Sequence, residues 1–227
     1  MTPATTPPTT PATSPPIAGA ERAALAVVGR SLVAHRLVVG AGGNLSLRLP
    51  GHEVLITAAD AWLDALDTPD AFAVVGPDGV VRDGTPSSEV GVHLAAYAAR
   101  PEVTAVLHLH PQTVLLLDAL GHDVRLLTTD HAFYVRRVRR TPFAAPGSTE
   151  VARVTAEALR DADCVVLARH GVVVAADSLD LAHRRALNLE EAAELTYRSL
   201  LLGGLPAPCP HWEGSVPESP EPEDGDG

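Results

Sequence analysis

The sequence is poor in aromatic residues, in cysteine and in basic residues. Aromatics make up 4% of the 227 residues, so a core must be built mainly from Ala, Val and Leu. The two cysteines, Cys164 and Cys209, are too few for a disulfide framework. The formal net charge of -11 argues against a nucleic-acid partner, because a phosphate backbone is bound by a basic surface.

Targeting and membrane-spanning signals are also missing from the sequence. Residues 1–20 have neither the basic nor the apolar segment of a secretory signal, and no apolar run is long enough to cross a bilayer. We therefore expect a cytoplasmic protein without a membrane partner. Residues 1–18, rich in Pro and Thr, and residues 206–227, acidic and rich in Pro, are expected to be disordered tails around one domain at residues 19–205.

Residues 103–111, with the sequence VTAVLHLHP, predict a buried strand that a proline ends. Because side chains alternate along a strand, His108 and His110 should lie on the same face, one pleat apart. Two imidazoles on one face are half of a transition-metal site. The alternative is a pair of core histidines bonded to the backbone, and this stretch alone leaves the two interpretations about equal.

Two further stretches could complete such a site. Residues 163–174, DCVVLARHGVVV, predict another apolar strand in which His170 precedes a glycine and can project while the chain bends away. In TPSSEVGVH, Ser87 or Ser88 can cap a helix that has Glu89 in its first turn. Three imidazoles and one displaceable carboxylate suit Zn²⁺ or a similar divalent ion and leave room for a substrate.

The remaining periodicity predicts alternating helices and hairpins. We expect helices at residues 21–39, 112–120, 148–159 and 179–202, a hairpin of strands at 44–49 and 52–57, a second hairpin at 72–75 and 80–82, and a short strand at 126–128.

Four motifs, GGNLS (residues 42–46), PSSE (86–89), HLHP (108–111) and RHG (169–171), occur in the order and approximate spacing of the class II aldolase/adducin family. The chain resembles this family, and its fuculose-phosphate aldolases in particular, over roughly residues 20–204. The family also includes ribulose-phosphate 4-epimerases, methylthioribulose-phosphate dehydratase and several decarboxylases. The resemblance favours a metal site over a pair of core histidines.

The resemblance implies an α/β fold with three layers, α/β/α, around a central mixed and mostly antiparallel sheet. It implies a homotetramer with active sites at subunit interfaces and a small-molecule substrate. The cofactor it implies is a divalent metal ion, which we expect to be Zn, with Mn, Co and Fe as alternatives.

Carried over residue by residue, the resemblance implies a metal site of His108, His110, His170 and Glu89. Glu89 would also be the catalytic acid/base, and Tyr134 is the candidate for a second proton donor. His93 is expected to pack near the site rather than to bind the metal. The residues expected to bind substrate are Gly43, Asn44, Thr57, Ser87, Ser88 and His131.

The sequence departs from the family pattern after Thr57. Family members usually continue with Pro, a small hydroxyl residue and Gly, in a loop that helps to bind a substrate phosphate, whereas this chain has Ala58, Ala59 and Asp60. A hydroxyl donor is lost, and the carboxylate would either repel a phosphate or cap a helix starting near Ala61 and face away. The basic run at residues 136–140 could bind an anionic substrate or form a solvated or subunit-contact face.

The function that the resemblance implies is that of a divalent-metal-dependent carbon–carbon lyase, which would perform reversible aldol cleavage of a sugar, a sugar phosphate or a related hydroxy-ketone through an enediolate. The first alternative is a metal-dependent decarboxylase of a non-phosphorylated hydroxy-aromatic or keto acid, favoured by the altered phosphate loop. The second is a non-catalytic, adducin-like binding module. Glu89 argues against epimerisation, because epimerase relatives tend to have Asp at that position.

Overall fold

The computed structural model describes residues 19–210. The predicted tail at residues 1–18 lies outside the described residues, as does the predicted C-terminal tail beyond residue 210. Residues 206–210 are described, and the backbone N–H of Cys209 donates to the Leu126 carbonyl at 2.7 Å. This bond attaches the start of the predicted C-terminal tail to the loop around residue 126.

Within residues 19–210, eight strands form one mixed sheet. The strands are β1 (Asn44–Arg48), β2 (Val54–Thr57), β3 (Phe72–Val75), β4 (Val81–Asp83), β5 (Ala105–Leu109), β6 (Val138–Thr141), β7 (Cys164–Leu167) and β8 (Gly171–Ala176). Their order in the sheet is β4-β3-β2-β1-β5-β8-β7-β6. Among these strands the β6–β7 pair is parallel and the six other pairs are antiparallel, so the predicted mixed, mostly antiparallel sheet is confirmed.

Helices cover both faces of this sheet, which confirms the three-layer arrangement. The helices are α1 (Gly19–Ala34), α2 (Val90–Ala99), α3 (Gln112–Leu120), α4 (Thr149–Ala158) and α5 (Leu179–Leu201), with a 3-10 turn at Pro69–Ala71 and a π-helical turn at His131–Val135. One apolar cluster contains Leu25, Leu117 and Leu189, from α1, α3 and α5, and the other contains Val92 and Val151, from α2 and α4.

The alternation of side chains along β5 decides which layer the histidines face. Ala105, Leu107 and Leu109 belong to the cluster shared with α1, α3 and α5, whereas Val106 belongs to the cluster shared with α2 and α4. His108, two residues after Val106, therefore faces the α2 and α4 layer. Glu89, immediately before α2, lies in that same layer.

The apolar run at residues 163–174 is two strands rather than one. β7 and β8 are antiparallel, and residues 168–170 form the tight turn between them. Both strands are wholly buried, so the run shows no polar interruption except Arg169 and His170. The prediction of a single strand was wrong because a hairpin buried on both faces has the same apolar pattern as one long strand.

Three further boundaries differ from the prediction. Helix α1 ends at Ala34, because Arg36 adopts a left-handed φ of 62° and the Leu37 N–H donates to the Leu32 carbonyl at 3.0 Å, a Schellman-type end. Residues 126–128 form no strand. The basic run instead contains the edge strand β6, whose arginines hid the strand pattern. Within residues 19–210, no helix has the length and apolar character needed to cross a bilayer.

Candidate active site

Three imidazoles, those of His108, His110 and His170, converge at one end of the central strands. One nitrogen from each lies within 4.8 Å of the others. β5 and β8 are antiparallel neighbours in which Leu109 pairs with Val172, so the residues after β5 and before β8 meet at the same sheet end. The strand alternation and the turn before β8 together bring the three rings to one point.

The orientation of His108 is set by the backbone of β8. Its Nδ1–H donates to the Val172 carbonyl at 3.0 Å, so Nε2 is the nitrogen that faces the cluster. That Nε2 lies 3.2 Å from Nε2 of His110. The ring is fully buried, so this orientation is held by packing as well as by the hydrogen bond.

Glu89 completes the cluster from the layer of α2 and α4, which His108 faces. Its Oε2 lies 2.6 Å from His108 Nε2 and 3.3 Å from His170 Nε2. Its Oε1 accepts the backbone N–H of Gly147 at 3.1 Å, and 8% of the side chain is exposed. One carboxylate oxygen is thus anchored to the loop before α4 while the other faces the imidazoles.

The electrostatics of the cluster favour a neutral His110 ring and an ionised Glu89 carboxylate. Burial raises the pKa of Glu89, but the hydrogen bonds from His108 and His170 outweigh burial and bring this pKa below its ordinary value. Burial, followed by the charges of His108 and His170, lowers the pKa of His110 to about 4. Neutral imidazole and carboxylate are the protonation states that bind a divalent cation. The donor set therefore fits the metal that the sequence implies.

Glycines lie where a side chain would collide with the cluster. A Cβ at position 171 would lie 2.5 Å from His110 Cδ2 and 2.9 Å from His108 Cε1. A Cβ at position 42 would lie 2.9 Å from His110 Nδ1, and one at Gly43, which has a φ of 80°, would lie 2.7 Å from the His108 carbonyl. These glycines let the two neighbouring backbones approach the rings closely.

Asn44 is held beside the imidazoles by a buried relay. It pairs with His108 across β1 and β5, and its Oδ1 is bonded to Nε2 of His93. Burial lowers the pKa of His93 to about 3, so the ring is neutral: Nε2–H donates to Asn44, and Nδ1 accepts from Ser46 Oγ at 2.7 Å. Tyr97 continues the relay at 2.8 Å from Ser46 Oγ. Within residues 19–210, the Asn44 amide nitrogen has no partner and can donate to a ligand.

The two predicted serines lie beside Glu89 but do not cap α2. Glu89 itself occupies the N-cap position, without a side-chain capping bond. Ser87 Oγ accepts the Glu89 N–H at 3.3 Å, and Ser88 is exposed. The predicted serine cap is wrong because the helix begins one residue after Glu89, which makes Ser87 an anchor of the Glu89 backbone.

The loop after Thr57 lies next to these serines. The Ser87 N–H donates to the Thr57 carbonyl at 3.2 Å, and Thr57 Oγ1 accepts the Leu45 N–H at 3.2 Å. Asp60 is exposed, with a φ of 59°. No helix follows at residues 61–66, so the alternative in which Asp60 caps a helix is wrong.

Tyr134 and His131 have their contacts elsewhere in this chain. The carbonyl of Tyr134 accepts from Arg185 Nε at 2.8 Å on α5. His131 Nδ1 accepts the Leu127 N–H at 3.2 Å, and its Nε2 lies 3.5 Å from Glu191. The structure does not bring either side chain to the three imidazoles of its own chain, and their roles stay predictions.

The basic run is paired with acidic side chains. Arg139 bonds Asp161 at 2.6 Å, and Arg140 bonds the buried carboxylate of Asp118. Arg136 lies 3.5 Å from Asp163. These pairs favour a structural role for the run over substrate binding.

Residues 23–197 match the sequence model of the class II aldolase and adducin N-terminal domain. The chain belongs to this family. An L-fuculose phosphate aldolase of Methanocaldococcus jannaschii is 32% identical over 173 residues, which cover 76% of this chain and 93% of the relative. A 3-oxo-tetronate 4-phosphate decarboxylase of Escherichia coli is 36% identical over 173 residues, with 74% of this chain and 80% of the relative covered.

The fold of a class II aldolase is likewise found among solved structures. An L-fuculose 1-phosphate aldolase superposes with a TM-score of 0.77 at 25% identity, covering 84% of this chain and 91% of the other. These relatives are enzymes that make or break carbon–carbon bonds. The family assignment drawn from the four sequence motifs is confirmed.

Proposed function

We propose that this chain is a divalent-metal-dependent lyase that cleaves reversibly the carbon–carbon bond of a sugar phosphate or a related hydroxy-ketone. The observation that carries the proposal is the convergence of three imidazoles on an ionised Glu89 carboxylate, 2.6 Å from His108 and 3.3 Å from His170. The similarity to aldolases over three quarters of the chain supports it.

His108, His110 and His170 would hold the ion, with Glu89 as a fourth, displaceable ligand. When bound, the ion would act as a Lewis acid that polarises the substrate carbonyl. We propose Zn²⁺, because nitrogen-rich sites with one exchangeable position suit it, and Mn, Co or Fe as alternatives. His108 is held in the required orientation by the Val172 carbonyl.

Glu89 is the proposed acid/base. Its Oε2 takes the proton of the substrate hydroxyl on the carbon β to the carbonyl. The bond between the α and β carbons breaks, the β carbon leaves as an aldehyde, and the electron pair passes to the carbonyl oxygen. The hydrogen bond from the Gly147 N–H to Oε1 would hold the carboxylate in position while Oε2 exchanges the metal ion for the substrate proton. The side-chain N–H of Asn44 would donate a hydrogen bond to a substrate oxygen.

A second candidate is decarboxylation of a keto acid. In this reaction the carboxylate lies β to the polarised carbonyl. The bond to the carboxyl carbon breaks, CO₂ leaves, and the electron pair passes to the carbonyl oxygen. The loop at residues 58–60 favours a non-phosphorylated acid as the substrate, since it has no side-chain hydroxyl and ends in an exposed aspartate. The decarboxylase relative, 36% identical, supports the reaction type, and its named substrate carries a phosphate.

The quaternary structure belongs to the proposal as well. A homotetramer with sites at subunit interfaces would allow Tyr134 or His131 of one chain to approach the imidazoles of another. Light scattering of the purified protein tests the tetramer. The cytoplasmic location stays a prediction.

The proposed function is tested first by elemental analysis of wild type and of the His108→Ala/His110→Ala variant. Near-stoichiometric metal that the variant loses supports the site. A wild type that holds no metal and takes up none on reconstitution would favour the adducin-like binding module.

A substrate panel then separates the two reactions. Aldehyde release from L-fuculose 1-phosphate supports the aldolase. Release of CO₂ from 3-oxo-tetronate 4-phosphate, or from a non-phosphorylated keto or hydroxy-aromatic acid, without ketose phosphate cleavage, supports the decarboxylase.

A further inference from the structure

The turn that contains His170 includes a backbone conformation that is unfavourable for its residue type. Residues 168–170 connect β7 and β8, whose pairing ends at Leu167 and Gly171. Arg169 has a φ of 61°, in the left-handed region where residues with a Cβ are uncommon. The His170 N–H donates to the Leu167 carbonyl at 2.9 Å and closes the turn. The direction of the His170 imidazole therefore depends on the conformation of the residue before it.

Asp118, on α3, binds that residue directly. Its Oδ2 accepts the Arg169 backbone N–H at 2.8 Å, and its Oδ1 accepts from Nε of Arg140 on β6. Only 2% of the Asp118 side chain is exposed, and burial of a polar group costs free energy unless hydrogen-bond donors of this kind compensate it. A single carboxylate thus joins α3, β6 and the turn before His170.

The same helix, α3, begins just after a second histidine of the cluster. α3 begins at Gln112, two residues after His110. Its N-terminus is bonded to α5, since the Thr113 N–H donates to Glu190 Oε1 at 2.9 Å. α3 therefore connects the two histidines: it follows His110 in the chain, and its Asp118 is bonded to the turn that contains His170. By contrast, Arg139, also on β6, pairs with Asp161, and within residues 19–210 this pair has no bond to the turn.

We propose that Asp118 is a positioning residue that directs the His170 imidazole by holding Arg169 in its left-handed conformation. The inference rests on the proposed function, which assigns His170 as a metal ligand. An ion pair with a structural role alone would affect folding and leave the metal affinity of the folded protein unchanged.

The test compares Asp118→Leu with Asp161→Leu, the same change at an arginine-paired aspartate remote from the turn. Co²⁺ affinity is measured by visible absorption, and amide hydrogen exchange at residues 168–172 is measured in metal-free protein. Asp118→Leu should weaken Co²⁺ binding by about 10-fold and speed exchange in the turn. Asp161→Leu should change affinity by less than about twofold, because it removes a surface pair.

Two further variants separate positioning from folding. Asp118→Asn keeps an oxygen for the Arg169 N–H but loses the charge facing Arg140, so positioning predicts nearly wild-type affinity, and a loss as large as in Asp118→Leu contradicts it. Arg169→Gly added to Asp118→Leu should restore most of the affinity, since glycine adopts a left-handed φ without strain.

Wild-type affinity in folded Asp118→Leu, or no recovery in the double variant, would overturn the proposal. If wild type binds no Co²⁺, the proposed function fails, and hydrogen exchange decides the role of Asp118 on its own. Unchanged exchange at residues 168–172 in Asp118→Leu would then overturn it.

Discussion

Gly171→Ala would test whether the imidazole cluster has any room to adjust. The added Cβ would lie 2.5 Å from His110 Cδ2, 2.6 Å from the Leu109 carbonyl and 2.9 Å from His108 Cε1. Carbon atoms pack at about 3.5–4.0 Å, so both rings and the β5 backbone would have to move by about 1 Å. Gly171 has an ordinary strand φ, so the cost is steric rather than conformational.

The expected effect follows from this crowding. An extra methyl group in a packed core costs about 1–3 kcal/mol, which lowers the unfolding temperature by about 2–12 °C for a domain of this size. Displacement of His108 from the Val172 carbonyl should also weaken metal binding by about 10–100-fold. Both effects should appear together, because the same two rings are displaced.

The assay is thermal unfolding of metal-free protein followed by a Co²⁺ titration of the same sample. Gly91→Ala is the matched control, since its Cβ would meet only Ala152 Cβ at 3.9 Å. That variant should gain up to about 1 kcal/mol from helix propensity and keep its affinity. An unfolding temperature and a Co²⁺ affinity unchanged in Gly171→Ala would refute the argument from crowding.

Three more predictions follow from the contacts of the site. Glu89→Gln should lower kcat by at least about 100-fold while elemental analysis shows metal retained, and full activity would exclude Glu89 as the base. Asn44→Asp keeps the oxygen that His93 binds but removes the amide donor, so kcat/KM should fall by about 10-fold, and stability in urea should fall as well because the new carboxylate is buried. The pKa of His93, lowered to about 3 from 6.5, means that the unfolded chain binds a proton that the fold does not. The contribution of His93 to stability in urea should therefore fall by about 1.4 kcal/mol per pH unit between pH 6.5 and about 3, and His93→Gln should remove that part of the slope.

The local parts of the site could be predicted from the sequence. The alternation of His108 and His110, with Pro111 after them, placed both rings on one face of a strand. The glycine after His170 indicated where the chain bends away, and helix α3 has the predicted bounds Gln112–Leu120. Each of these depends on neighbours within a few residues, which is the range over which sequence periodicity is informative.

The long-range parts could not be predicted in this way. The Gly147 N–H that anchors Glu89 is 58 residues away in sequence, and Asp118 is 51 residues from Arg169. Strand β5 lies between β1 and β8, an order that the sequence pattern does not specify. Such contacts form only when the sheet brings the segments together, so composition and periodicity have no signal for them.

The spacing of Glu89 and His93 shows how a correct local pattern can give an incomplete account of a site. Four residues apart, they would share one face if both lay within a regular helix. Glu89 instead lies at the N-cap with a ψ of 13°, outside the regular helix, where the Gly147 amide holds its side chain beside His108. His93, one turn into α2, is buried against Asn44 and Ser46. The end of the helix therefore separates the two side chains: Glu89 faces the imidazoles, and His93 is bonded to Asn44.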